Sequence, residues 1–239
     1  MKKGRWLFFL LAASAGWSET LPEIDVFTFG ESMLKISFLG HGTLMLDWNG
    51  WIIHVDPARA EADYSKLPKA DVILITHEHG DHLDTRAISI IKKEGTAIVF
   101  NEASSRKLKG AQILRNGEDI ILNNVKIEAV PAYNTTSGRS RFHPKDRDNG
   151  YILNLGNERV YIAGDSEDTP EMKDLKNITI AFLPMNQPYT MIPEQVAAAA
   201  KAFRPKILYP YHFGNSDTAE LTTLLEKETD IEVRIRDLK

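Results

Sequence analysis

Val72-Ile73-Leu74-Ile75-Thr76-His77-Glu78-His79-Gly80-Asp81-His82 joins a short apolar run to three histidines and an aspartate. Four consecutive apolar residues suit a strand buried on both faces, so the polar tail begins where that strand leaves the core. His77 and His79 are two apart, and in extended backbone that spacing puts both imidazoles on one side. Gly80 permits a sharp turn, with Asp81 and His82 at the entrance to the next helix. Imidazole and carboxylate together suit Zn²⁺, and also Mn²⁺ or Fe²⁺. The chain has no cysteine, which excludes disulfides, thiolate nucleophiles and thiolate metal sites in one step. Three of its seven histidines fall in this stretch, which favours a metal site over a polar loop with chance histidines.

The surrounding chain supplies a scaffold. At 239 residues it is long enough for one substantial core, and residues 16–239 read as a single domain. Leu34, Ile36 and Phe38 alternate as in a strand. Leu44 to Asp47 and Trp51 to Val55 flank Asn49-Gly50, a hairpin signal. Further strands are expected at Ala97–Phe100, Val125–Val130, Tyr151–Leu155, Val160–Ala163, Ile178–Leu183, Lys206–Tyr209 and Ile231–Ile235, with Gly156-Asn157 turning one pair. Helices are expected from Thr85 to Lys93 behind an Asp84 cap, from Pro193 to Phe203, and from Ser216 or Asp217 through Leu225. About a dozen strands and a few helices predict an α/β (α+β) protein of two packed sheets covered by helices.

Two later segments repeat the pattern of a ligand at a strand end. Ile162-Ala163-Gly164-Asp165-Ser166 offers a carboxylate, and Tyr209-Pro210-Tyr211-His212-Phe213-Gly214 an imidazole. Taken alone, Asp165 reads as a turn or cap residue and His212 as a satisfied core histidine; their weight comes from occurring with the first motif. Together these segments resemble the metallo-β-lactamase superfamily: His-x-His-x-Asp-His stands at His77 to His82, the bridging aspartate matches Asp165, the last histidine matches His212, and the early strand-end aspartate matches Asp56. Gly40-His41-Gly42, Pro184-Met185-Asn186 and Tyr211-His212-Phe213-Gly214 look like the branch that contains ascorbate-6-phosphate lactonase and related metal-dependent hydrolases.

The resemblance implies a four-layer αββα sandwich with two divalent metal ions at one edge, zinc first, with Mn or Fe as alternatives. It assigns His77 and His79 to the first ion, and Asp81, His82 and His212 to the second. Asp165 bridges them, and Asp56 orients the loop without touching metal. Asp81 and Asp165 are then the candidate catalytic carboxylates. The family's third histidine for the first ion follows a strand that ends here near Pro131, where this chain has Ala132-Tyr133-Asn134. Either His143 or Asn134 fills that role. His143 is favoured, because imidazole suits Zn²⁺ better than an amide oxygen does and His143 lies in the same inter-strand loop. A dinuclear site supplies hydroxide near neutral pH. The expected function is therefore a metal-dependent hydrolase using a metal-bound hydroxide on an ester, lactone or phosphodiester. A β-lactamase-like amide hydrolase and a non-catalytic metal- or ligand-binding module are the alternatives.

Other features admit two readings. His41 either lines the site mouth or bonds a neighbouring carbonyl, and His54, inside a strand, reads as structural. Arg139, Arg141, Lys145 and Arg147 form a basic cluster, either a solvated loop or an anion-binding rim. Met185 to Met191 is a substrate loop or plain packing. Formal net charge is -4, so nucleic acid is not the expected partner; a small molecule is, and in the rim reading an anionic one. Lys2, Lys3 and Arg5, then an apolar run from Trp6 to Ala13, then Ala13-Ser14-Ala15, have the three parts of a secretory signal peptide over residues 1–15. The expectation is a periplasmic or secreted protein without a stable membrane anchor, with a cytoplasmic one as the alternative.

Overall fold

The computed structural model describes residues 22–238; the expected signal peptide lies outside the described residues. Strands β1 (Glu23–Phe29), β2 (Ser32–Gly40), β3 (Thr43–Trp48), β4 (Trp51–Val55), β5 (Val72–Ile75), β6 (Ala97–Phe100) and β7 (Gln112–Ile113) form one sheet in that order. A second sheet contains β8 (Asp119–Leu122), β9 (Val125–Ala132), β10 (Asp148–Leu155), β11 (Glu158–Ile162), β12 (Ile180–Pro184), β13 (Ile207–Tyr211) and β14 (Glu232–Val233), again in sequence order. In each sheet the first four strands pair antiparallel and the last four parallel. The two halves of the chain thus share one topology, although no repeat is visible in the sequence.

Parallel pairing demands crossovers, and these carry α1 (Thr85–Ile91), α2 (Pro170–Lys173), α3 (Pro193–Phe203) and α4 (Thr218–Leu225). β5 shows how the layers form. Val72 and Leu74 join the large core, while Ile73 and Ile75 join a second core with Ala87, Ile88 and Ile91 of α1. A strand covered on both faces must be apolar throughout, as this one is. On the other side, Val196, Ala199, Ala200 and Phe203 of α3 and Leu221 and Leu225 of α4 pack into the large core. The result is the αββα sandwich.

Local signals account for the element ends. Asp84 accepts from the backbone N–H of Arg86 and Ala87 at the start of α1, and Asp217 from Ala219 at the start of α4. Asn49 and Gly50 both take positive φ, 51° and 86°, as a two-residue hairpin between Trp48 and Trp51 requires. Several boundaries differ from expectation. α1 stops at Ile91, β13 runs on to Tyr211, and the last strand shrinks to Glu232–Val233. β1, β7, β8 and α2 were not anticipated. β1 is a half-exposed edge strand whose Asp25 is held by Arg234 and Arg236, at 3.1 and 2.7 Å. That anchor comes from the other end of the chain.

Candidate metal centre

The parallel strands deliver their carboxyl ends to one edge, where open α/β sheets bind ligands. Asp56 follows β4, the His77–His82 loop follows β5, Asp165 follows β11 and His212 follows β13. His77 and His79 do lie on one side, but the loop bends where extended backbone was expected. Beyond Ile75 it turns, with the N–H groups of His82 and Leu83 both donating to the carbonyl of His79. The two rings meet edge-on, 4.6 Å apart and inclined at 82°. A turn can aim four side chains inward from one loop; an extended strand would send every second one away.

Six of the seven histidines converge. His77, His79 and His143 form one group, and His41, Asp81, His82 and His212 another. Within each group one donor atom per residue lies within 4.8 Å of the others, and a third group of His77, His82 and Asp165 joins the two. Asp165 is central. Its Oδ2 lies 3.4 Å from Nε2 of both His143 and His212, and its Oδ1 lies 3.5 Å from Nε2 of His82. His54 stays apart, buried and bonded to the carbonyl of Pro68.

Three of the rings, His77, His82 and His143, are held by the far nitrogen, Nδ1. His82 Nδ1–H donates to Asp56 Oδ2 at 2.8 Å, and His143 Nδ1–H to Asp148 Oδ2 at 3.0 Å. Thr76 donates its hydroxyl to Asp56 Oδ2 at 2.6 Å, so its oxygen accepts from His77 Nδ1–H at 2.9 Å. Asp56 also accepts from the Thr76 N–H at 2.7 Å. These bonds leave the Nε2 lone pairs facing the centre. Nε2 of His77, His82 and His212 and Oδ1 of Asp165 are buried without a hydrogen-bond partner. Such orphans are costly, and their convergence is what a cation would satisfy. Donor spacings of 3.4 to 3.9 Å around Asp165 fit a coordination sphere, since ligands at about 2.1 Å in a tetrahedron lie roughly 3.4 Å apart. The residues fit divalent metal.

A profile of the Beta-lactamase superfamily domain matches residues 35–212. The chain belongs to the metallo-β-lactamase superfamily. A metal-dependent hydrolase of Pelotomaculum thermopropionicum is 28% identical over 223 residues, spanning 84% of this chain and 96% of that protein. Among solved structures, one from Parabacteroides distasonis, named as a metal-dependent hydrolase, shares 55% identity with a TM-score of 0.89, covering 91% of this chain and 100% of that one. A metallo hydrolase of Ignicoccus hospitalis shares 26% identity with a TM-score of 0.72, over 86% and 95% of the two chains. This superfamily member is a metal-dependent hydrolase.

In this metallo-β-lactamase-superfamily hydrolase the electrostatics call for a cation. Burial disfavours charge on His82, but the carboxylates of Asp165, Asp56 and Asp81 outweigh it and push its pKa up to about 10. Burial instead holds His77 well below the usual imidazole range and brings His212 down to about 4. Burial opposes the Asp165 carboxylate, yet the surrounding His212, His82 and His143 lower its pKa. The neutral imidazoles of His77 and His212 beside an ionised Asp165 suit metal binding as they stand, whereas His82, held protonated by its carboxylates, would give up its Nε2 proton to a bound cation.

The centre opens into a cavity of about 190 Å³ walled by His41, Phe142, Asn186 and Tyr189. Phe142 and Tyr189 meet edge-to-face at 5.0 Å. Met185 and Met191 are core residues, so the Met185–Met191 segment packs at its ends and faces the cavity in between. Asn134 is buried beside the cavity, and its Oδ1 has no hydrogen-bond partner. Its Nδ2 donates to the carbonyls of Tyr189 at 2.7 Å and Arg139 at 3.3 Å, tying two cavity loops together. Sequence reasoning passed over His41 as a donor. The only signal was its glycine flanks, because its neighbours here are Asp81 and His212, far along the chain.

Proposed function

We propose that this hydrolase holds two divalent ions, zinc first, and cleaves a small ester, lactone or phosphodiester carrying an anionic group. The observation that carries the dinuclear reading is Asp165, whose two carboxylate oxygens reach into both histidine groups. His77, His79, His143 and Asp165 would hold one ion; Asp81, His82, His212 and Asp165 the other. When bound, such ions lower the pKa of water and polarise a carbonyl or phosphoryl oxygen. The protein's own part is rigid presentation. Asp56 fixes His82 directly and His77 through Thr76, and such outer bonds are commonly worth 10–100-fold in affinity or activity. Phe142 and Tyr189 exclude water from one side of the cavity and limit substrate size. Metal analysis of purified protein, followed by turnover of a lactone, a bis-aryl phosphodiester and nitrocefin, tests the reading. Turnover of nitrocefin alone would favour amide hydrolysis instead.

The anionic preference is supported by the basic loop. Arg139 pairs with Glu167, Lys145 with Glu171, and Arg147 with Asp148 and Glu78. Among the described residues Arg141 alone of the four has no carboxylate partner, and its guanidinium stacks 4.7 Å from the centre of the Phe142 ring at the cavity wall. Arg141→Ala is expected to raise KM for an anionic ester about fivefold, about 1 kcal/mol for an exposed charge, with kcat unchanged. Equal KM values for anionic and neutral esters in the native protein would remove Arg141 from substrate binding.

Export is part of the same proposal, resting on the basic start, apolar run and Ala13-Ser14-Ala15. N-terminal sequencing of protein from its native host is expected to begin near Gly16. An intact Met1 in the cytoplasmic fraction would reject it.

A further inference from the structure

We infer that His41 is a fourth side-chain ligand of the second ion, beyond the Asp81, His82 and His212 set; the inference rests on the dinuclear reading above. Three independent features of the turn support it. First, the side chain is in place: His41 Nε2 lies 3.3 Å from Asp81 Oδ2, and its ring lies 3.6 Å from that of His212, centre to centre. Its donor atom falls within the same 4.8 Å group as those of Asp81, His82 and His212. A 3.3 Å spacing is what two ligands on one ion adopt when each bond is about 2.1 Å.

Second, the turn is built against the other ligands. A Cβ on Gly42 would meet His82 Cε1 at 2.7 Å, so only glycine lets the turn approach that ring so closely. The carbonyl of His41 accepts from the N–H of His212 at 3.0 Å, which locks the turn to the end of β13. Third, the backbone is strained where the ligands sit. His41 has φ 49° and His212 φ 47°, a left-handed conformation that histidine adopts at some cost. A solvated turn would relax by placing glycine or asparagine there. Two facing strained residues, joined by a backbone hydrogen bond, instead point their rings into one group.

With Asp165, the second ion would then have five protein donors where the first has four. A site so filled suits ions that accept five or six ligands, such as Mn²⁺ or Fe²⁺, so the zinc-first preference proposed above holds for the four-donor site and not for this one. His41 would also leave that ion fewer open positions.

The competing explanation is that His41 only donates a hydrogen bond to Asp81. Two variants separate them. His41→Asn tolerates positive φ but is too short to reach; His41→Gln keeps an N–H donor of similar reach while offering a poor metal donor. Each is loaded with Mn²⁺ and with Zn²⁺, its metal content is measured, and its affinity for each ion is read by chelator competition, with a thermal melt of the metal-free protein as the folding control. Both variants are expected to keep one tightly held ion and to bind the second more than about 100-fold more weakly, exceeding the usual loss for an outer-shell partner. Affinity restored by Gln to within a few-fold of the native protein would overturn the ligand assignment, as would two tightly held ions in His41→Asn. Native protein that holds fewer than two ions would overturn the dinuclear reading and this inference together.

Discussion

Asp165→Ala is expected to abolish most activity and to reduce the metal content below two ions per chain. The carboxylate is nearly fully buried, has no hydrogen-bond partner at Oδ1, and lies 3.4 to 3.5 Å from donor atoms of His82, His143 and His212. Removing it leaves two groups of imidazoles with no anion between them. Each ion loses a charged donor, and the spacing of the pair is no longer fixed. A fall in kcat/KM of about 10³ corresponds to about 4 kcal/mol of transition-state stabilisation, the scale of one lost metal function. The fold should survive, since Asp165 caps no helix and its side chain holds no backbone group. Two ions retained in the folded variant would reject a bridging role.

His143→Ala is expected to strip one ion and lower kcat/KM by about 10² or more, whereas Asn134→Ala keeps both ions. His143 stands with His77 and His79, its ring centre 5.0 Å from each, and is oriented by Asp148. Asp148 keeps both bonds from Arg147 when the imidazole is gone, so the variant leaves no orphaned carboxylate. Asn134 Nδ2 is engaged by the carbonyls of Tyr189 and Arg139, which fixes the amide between two loops, and its oxygen suits Zn²⁺ less well than an imidazole. Its loss should cost about 1–3 kcal/mol of stability and loosen the cavity wall. Loss of an ion from Asn134→Ala alone would reverse the assignment.

Much of the scaffold could be read locally. The run from Val72 to Ile75 announced a strand covered on both faces, Pro193 to Phe203 is α3 to the residue, and Asp84 and Asp217 mark real helix starts. Each is a short-range effect of burial, ring geometry or capping. β1 escaped because its pattern is weak: Ile24 and Val26 are half exposed and Asp25 sits between them. Its stability depends on Tyr209, Arg234 and Arg236, about 200 residues away. α2 escaped because four residues carry no periodicity, although Thr169 caps it and Pro170 opens it.

The sequence by itself determined the donor types, the absence of thiolates, and the placing of Asp56, His77, Asp165 and His212 at or just past strand ends, because those follow from composition and from where apolar runs stop. Only the tertiary structure decided which donors meet. His143 joins His77 across a long loop, His41 joins His212 across two sheets, and Asn134 is drawn off to a neighbouring carbonyl. Strand formation depends on neighbours a few residues away, but the meeting of donors depends on how two sheets pack and where their parallel strands end, and no local pattern encodes that distance.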